Sequence, residues 1–341
     1  MQFGAHLPLM DFGGNAYDGA QLRAYARLAA ELGFSVLAAN DHMVFSVPWL
    51  DGPTALASVI EASEPTTLAT TVALPVLRGP VGFAKQVAAL DRLSGGRMRV
   101  AVGPGSSERD YEVVGVDFAE RWKRLDEVIR ALRSLLDPRA EPFTGAYYST
   151  AGIDLEPPPV QAGGPPIWVG SWGSAAGLRR VARLADGWLA SAYNIAPPEF
   201  ADAWTTLQSL VTAQGRDAAS FPNALATMWF HITDDVTEAE SVLQERIVPT
   251  VHRPEEVLRA RLPVGPADAF AEKLRAFRDA GVHEVLIWPV TDELRQLERF
   301  RAEVWPLVEP GALAEVTGGS GGKKGGGGGG GGNAGTGGVS F

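Results

Sequence analysis

Apolar positions along this chain follow two rhythms that take turns. Short unbroken apolar runs alternate with longer stretches in which apolar residues return every three or four positions. An unbroken run is the pattern of a parallel strand covered on both faces, and the wider spacing is that of a helix with one buried stripe. Gln2 to Leu7 is the first such run, ended by Pro8. Leu22, Tyr25, Leu28, Ala29 and Leu32 then predict a helix from Ala20 to Leu32, stopped by Gly33. Phe34 to Asn40 predicts strand 2, Pro53 to Glu61 a helix with proline in its first turn, and Thr66 to Leu74 strand 3.

The alternation continues. A helix from about Val81 to Leu93 stops at Ser94-Gly95-Gly96, and strand 4 is Met98 to Gly103. The loop Pro104 to Ser107 and a polar connection from Glu108 to Asp117 lead to a long helix from about Ala119 to Leu136. Pro142 to Pro159 reads as a hairpin-bearing surface excursion. Strands follow at Pro166–Gly170, Gly187–Ser191, Leu225–Ile232 and Glu284–Pro289. Between and after them come helices at Ala175–Leu184, Pro197–Gln214, Ala267–Ala280 and Glu293–Val308, with an irregular helical stretch from Thr237 to Leu262. Eight strands in regular alternation with helices predict one (β/α)₈ barrel, with a doubly wound sheet as the alternative.

The pattern lapses at the end. Of the 25 residues from Thr317 to Phe341, 15 are glycine, too little apolar surface to offset chain entropy. The expectation is a barrel domain over 1–316 with insertion segments, followed by a disordered tail over 317–341.

Composition narrows the function. The 341 residues carry a net charge of −10 with no basic stripe, so neither nucleic acid nor a membrane surface is expected as a partner. There is no cysteine, and the 5 histidines show no metal-ligand spacing, so no metal site is expected. Neither a signal core nor a membrane-length apolar run is present, and a cytoplasmic location is expected.

In a barrel, the chemistry belongs at the carboxyl ends of the strands. Those ends carry His6; Asn40, Asp41 and His42; Thr70 and Thr71; Gly103, Gly105 and Ser106; Gly170-Ser171-Trp172-Gly173-Ser174; and then His231 and Trp288. His42 is the side chain most easily poised to move protons, whereas Asp41 either orients it or caps a turn. Gly170 to Ser174 stands just before a helix. It is either a phosphate cradle or a strand-to-helix turn with Ser174 as cap. His231 shares parity with Trp229, so both are expected to point inward. Trp49, Trp172, Trp229 and Trp288 give the mouth an aromatic lining, suited to a large planar ligand. Facing carboxylates are scarce and no G-x-S-x-G elbow occurs within residues 1–316, so hydrolytic readings are weak.

Several segments together resemble the bacterial luciferase-like oxidoreductases: Ala30 to His42, Ala84 to Arg97, Val102 to Gly105, Phe118 to Glu127, Pro165 to Gly170 and Ala185 to Trp188. The resemblance implies a barrel binding FMN or its deazaflavin analogue, coenzyme F420. It places a bulge, often with a cis peptide, at Thr71-Val72, and phosphate contacts at Gly170 to Ser174. It further implies His42 and His231 as proton-handling residues with Trp49 lining the site; with His6, Trp229 and Trp288 from the strand ends, these make the expected substrate pocket. Two departures matter. Ser106 stands where the deazaflavin-dependent sugar-phosphate dehydrogenases carry an acid, with Glu108 the nearest acid. Trp229 stands where alkanesulfonate monooxygenases carry arginine.

These readings favour a monooxygenase using reduced FMN, supplied by a flavin reductase, on a small and largely apolar substrate. The segment from Ile247 to Gly265 would serve as a lid. F420-dependent hydride transfer with His42 as base is the alternative, and a non-catalytic flavin-binding protein the second. A homodimer is the expected assembly.

Overall fold

The computed structural model describes residues 1–12, 18–251 and 253–310; the glycine-rich stretch 317–341 lies outside them. Eight parallel strands close a ring: β1 (Gln2–His6), β2 (Val36–Ala39), β3 (Thr67–Ala73), β4 (Met98–Val102), β5 (Ile167–Gly170), β6 (Gly187–Ser191), β7 (Asn223–Ile232) and β9 (Glu284–Pro289). β1 to β6 pair in sequence order. The ring closes through β6–β7, β7–β9 and β9–β1. A further two-residue strand, β8 (Val264–Gly265), pairs with the end of β7 outside the ring. The eight-unit barrel expected from the sequence is the fold observed.

Helices wrap the ring because each strand sends alternate side chains outward to meet an apolar stripe. α1 (Gly19–Glu31) buries Leu22 and Tyr25, and α6 (Arg121–Leu136) buries Leu125, Val128, Ile129 and Leu132. The other major wrapping helices are α2 (Gly52–Ser58), α4 (Pro80–Leu93), α7 (Ala175–Leu184), α8 (Pro197–Ala213), α11 (Ala267–Asp279) and α12 (Glu293–Arg299), with a short α3 (Pro75–Arg78) before α4. The inside of the ring is lined mainly by small residues such as Val36, Ala38, Ala69, Ala101 and Ala224, because eight strands leave room for little more. The amino-terminal end is plugged by an Arg99–Glu284 ion pair at 2.5 Å, with the Arg99 guanidinium 4.4 Å above the Trp168 ring.

The mouth at the carboxyl ends is capped by a separate apolar cluster. Met10, Trp229, Trp288 and Val290 meet Leu243, Ile247, Val251 and Leu258 from the segment after β7. That segment contains α9 (Val236–Ser241), a π turn over Val242–Ile247 and α10 (Glu255–Arg261). One expected connection differs from the structure. Glu108–Val114 forms a helix, α5, because the Ser107 side chain caps its first turn and Gly115, at φ 70°, ends it in the left-handed conformation. The excursion before β5 holds a small antiparallel bridge between Thr144 and Ser149. Among the described residues no helix is long and apolar enough to cross a membrane.

β3 and β4 slip register between Thr71 and Ala73, at the expected bulge, and the Thr71-Val72 peptide is cis. Thr70 Oγ1 donates to Ala101 O at 2.8 Å and accepts from Ala101 N at 3.0 Å, holding the ladder just before the slip. The Val72 side chain wedges between the ends of β4 and β5. A Cβ added to Gly103 would lie 2.8 Å from Val72 Cγ2, and one on Gly170 would lie 2.8 Å from Cγ1. These two glycines make room for that wedge. Gly103→Ala is therefore expected to lose roughly 1–3 kcal/mol in urea unfolding, with part recovered in the Gly103→Ala/Val72→Ala double variant. Unchanged stability in the single variant would mean that Val72 has room to move.

Candidate functional site

β2 delivers Asn40, Asp41 and His42 to the mouth, and the loop from His42 to Leu50 runs on to α2. Asp41 is buried and does not touch the imidazole. Its carboxylate accepts both Arg78 Nε and Arg78 Nη2 at 2.7 Å, plus Leu74 N at 3.3 Å. The same guanidinium also bonds Asp51, which caps α2 by accepting from Thr54 N at 2.9 Å. One arginine thus ties down both ends of the loop that carries His42. Of the two readings of Asp41, orienting the histidine is not what the contacts show. It is a clamp, because α3 brings Arg78 to it first.

The group that orients His42 is Asp110, on the unforeseen helix α5. His42 Nδ1 and Asp110 Oδ2 are 2.7 Å apart, and Asp110 Oδ1 accepts from Met43 N at 2.9 Å and Val44 N at 2.8 Å. The Asp110 side chain is 1% exposed, and a buried carboxylate with these acceptor bonds holds Nδ1 as the donor. The other ring nitrogen, Nε2, is left as an acceptor. Phe45 and Trp49 flank the ring, with centroids at 4.6 and 4.7 Å. Glu108, the acid nearest by sequence, is exposed. A signal for Asp110 was present: Ser107-x-x-Asp110 is a helix-start pattern, and it places the acid one turn inside.

His42 and Trp49 line a cavity of about 770 Å³ together with Asn40, Ser106, Trp229 and Arg253. Such a volume lies in the range of small-molecule and cofactor sites. Buried polar atoms without partners among the described residues gather at the mouth: Asn40 Oδ1, Thr71 Oγ1, His6 Nε2 and the indole nitrogens of Trp49, Trp229 and Trp288. Such atoms are costly unless something else satisfies them.

The remaining expected residues divide. Trp229 lines the cavity, whereas Trp288 is fully buried behind it and stacks on His6 at a centroid distance of 3.5 Å. His6 Nδ1 lies 2.8 Å from Leu7 O. Burial pushes the His6 pKa down to about 3, against a smaller upward pull from that carbonyl. His231 lies outside the cavity lining. Its Nε2 meets Glu238 Oε1 at 2.9 Å and its Nδ1 meets Thr291 Oγ1 at 3.3 Å. Parity with Trp229 did not carry it inward because this end of β7 has passed the ring and pairs with β8.

On the opposite rim, Ser174 caps α7 by accepting from Gly177 N at 3.2 Å, and Ser171 Oγ accepts from Gly173 N at 3.3 Å. Gly173 turns the chain at φ 87°, a conformation that suits glycine. Trp172 is half-exposed, with the Arg253 guanidinium 5.1 Å from its ring. Gly105, at φ 78°, turns the β4 loop beside Ser106, which is exposed on the cavity wall.

Known proteins resemble this chain in fold and sequence. The family model described as luciferase-like monooxygenase matches residues 1–253. Mycobacterial relatives without assigned activity are 42% identical over 116 residues, and the chain spans only 38% of their length. The F420-dependent hydroxymycolic acid dehydrogenase of Mycobacterium tuberculosis is 28% identical over 313 residues, covering 84% of each chain. Among solved structures, monooxygenase RslO1 from Streptomyces bottropensis superposes with a TM-score of 0.78 at 20% identity, covering 90% of this chain and 99% of its own. An F420-dependent secondary alcohol dehydrogenase superposes with a TM-score of 0.75 at 19% identity, with the same coverage.

The pKa of His6 gives a pH test. Its ordinary value is 6.5 and the folded value about 3, so the unfolded chain binds the proton first, and stability falls as pH drops from 6.5 toward 3. Urea unfolding between about pH 6 and 4 is expected to show a slope steeper in the wild type than in His6→Phe by roughly 1.4 kcal/mol per pH unit. Parallel slopes would mean that His6 takes up a proton inside the fold.

Proposed function

Because the chain belongs to the luciferase-like monooxygenase family, whose members are oxidoreductases, we propose that it uses coenzyme F420 to interconvert a largely apolar secondary alcohol and its ketone. The observation that carries this reading is the His42–Asp110 pair facing the cavity. A histidine whose Nδ1 is committed to a buried carboxylate presents Nε2 as a base of fixed direction. In the oxidative direction His42 Nε2 takes the hydroxyl proton of the alcohol. In the reductive direction it returns that proton to the carbonyl oxygen. Asp110 stabilises the imidazolium that forms, without itself becoming protonated.

The residues present fit a tricyclic cofactor. The partnerless Asn40 and Thr71 side chains offer polar atoms for the edge of a planar ring. The Val72 wedge beside Gly103 and Gly170 would give it an apolar backing, and Gly170 to Ser174 opens a helix that could receive a phosphate. When bound, the deazaflavin supplies two-electron hydride exchange. Phe45, Trp49 and Trp229 line the cavity beside His42, which favours an apolar substrate with one oxygen at the His42 end. The F420-dependent hydroxymycolic acid dehydrogenase and the F420-dependent secondary alcohol dehydrogenase among the similar proteins support the same reading.

A second reading is monooxygenation with reduced FMN, which would require a flavin reductase as partner. The aromatic cap over the mouth favours it, since it would shield a reactive site from water. The likeness to RslO1 points the same way.

One titration separates the two. Purified protein mixed with F420 or with FMN, under oxidising and reducing conditions, is expected to bind F420 and to reduce it with a secondary alcohol. Binding of FMN alone, with oxygen consumption, would reverse the choice. His42→Ala should retain F420 binding and lose roughly 10²–10⁴-fold in turnover, and Asp110→Asn roughly 10–100-fold. A His42→Ala variant that turns over normally would remove the pair from the reaction, and a chain that only stored the chromophore would show no turnover to lose.

A further inference from the structure

Arg253 is set unlike the arginines that pair with acids in the barrel. Arg78, Arg99 and Arg180 each face a carboxylate. Arg253 lines the cavity, and no carboxylate among the described residues pairs with it. Its Nε and Nη2 donate to one neutral oxygen, Asn194 Oδ1, at 3.2 and 2.8 Å. Its flat face rests on Trp172. Asn194 is held in turn: its Nδ2 donates to Ser191 Oγ at 2.8 Å, and Ser191 Oγ lies 2.7 Å from Thr227 Oγ1. The guanidinium is thus oriented by a fixed network that uses two of its five N–H groups and leaves its charge unmatched.

We infer that Arg253 is an anion-recognition residue, taking a phosphate oxygen of a ligand that lies along the Gly170–Ser174 loop. The stacking partner Trp172 belongs to that loop, so an anion there meets the guanidinium and the free N–H groups at the start of α7 together. The segment carrying Arg253 also contributes Val251 and Leu258 to the cap over the mouth. Binding of the anion would therefore tie that cap to the phosphate loop. This inference rests on the cofactor reading above, the phosphate of F420 being the anion it names. A phosphorylated substrate is the other source of the same chemistry.

Fluorescence titration of wild type, Arg253→Ala and Arg253→Lys with F420, and with its phosphate-free deazaflavin chromophore, tests this. Arg253→Ala is expected to weaken F420 about 10- to 100-fold and to leave the phosphate-free chromophore unchanged, with Arg253→Lys recovering part of the loss. Equal weakening of both ligands would assign Arg253 to holding the cap and overturn the inference. Calorimetry with inorganic phosphate covers the other source: if F420 is unaffected, phosphate binding by the wild type that Arg253→Ala abolishes still supports the anion site, and no difference overturns it. If the wild type binds neither F420 nor FMN, the cofactor reading falls, and the phosphate measurement alone decides for or against Arg253.

Discussion

The site depends on one guanidinium. Arg78 holds Asp41 at the end of β2 and Asp51 at the start of α2, and between them runs the loop that carries His42, Phe45 and Trp49. Asp41 is buried, so removing Arg78 would leave its charge unmatched in low dielectric, a loss on the order of 3–5 kcal/mol. A loop pinned so firmly at its base can hold an imidazole in one direction with few contacts at its tip. Asp110 then needs only to reach that tip from α5, and it does so with bonds to two backbone amides as well as to the ring.

The mouth is built on a tension between apolar surface and unsatisfied polarity. Its indole rings pack edge to face, Trp229 against Trp288 at 5.6 Å and Trp49 against Trp288 at 5.8 Å, yet each keeps a buried N–H without an acceptor among the described residues. His6, stacked beneath, keeps a buried acceptor and stays neutral. A surface that is aromatic and still rich in open donors and acceptors suits a flat heteroaromatic ligand. The shape of the site and the chemistry proposed for it agree on this point.

Much of this was legible in the chain itself. The strands could be read because both faces of each are covered, leaving unbroken apolar runs, and the position of His42 followed from the end of such a run. The bulge at Thr71-Val72 followed from resemblance to a family. Asp110 escaped because pairing between a β2 loop and α5 is a tertiary event between positions far apart in sequence, although the Ser107 cap hinted at the helix. His231 misled because strand parity holds only while the strand stays in the ring. Arg253 escaped for a different reason: a lone arginine in an irregular segment has no pattern, and only its place on the cavity wall without a carboxylate sets it apart.

The Val72 wedge has a consequence for how this barrel can change over time. One side chain fills space that β4 and β5 vacate at Gly103 and Gly170, so three positions far apart in sequence share a single volume. None can drift alone. A lineage that gains a side chain at either glycine needs residue 72 to shrink or shift. Descendants of this sequence should therefore hold these three positions together or exchange them as a set, which makes them a marker of shared ancestry that is independent of whatever substrate each descendant has come to accept.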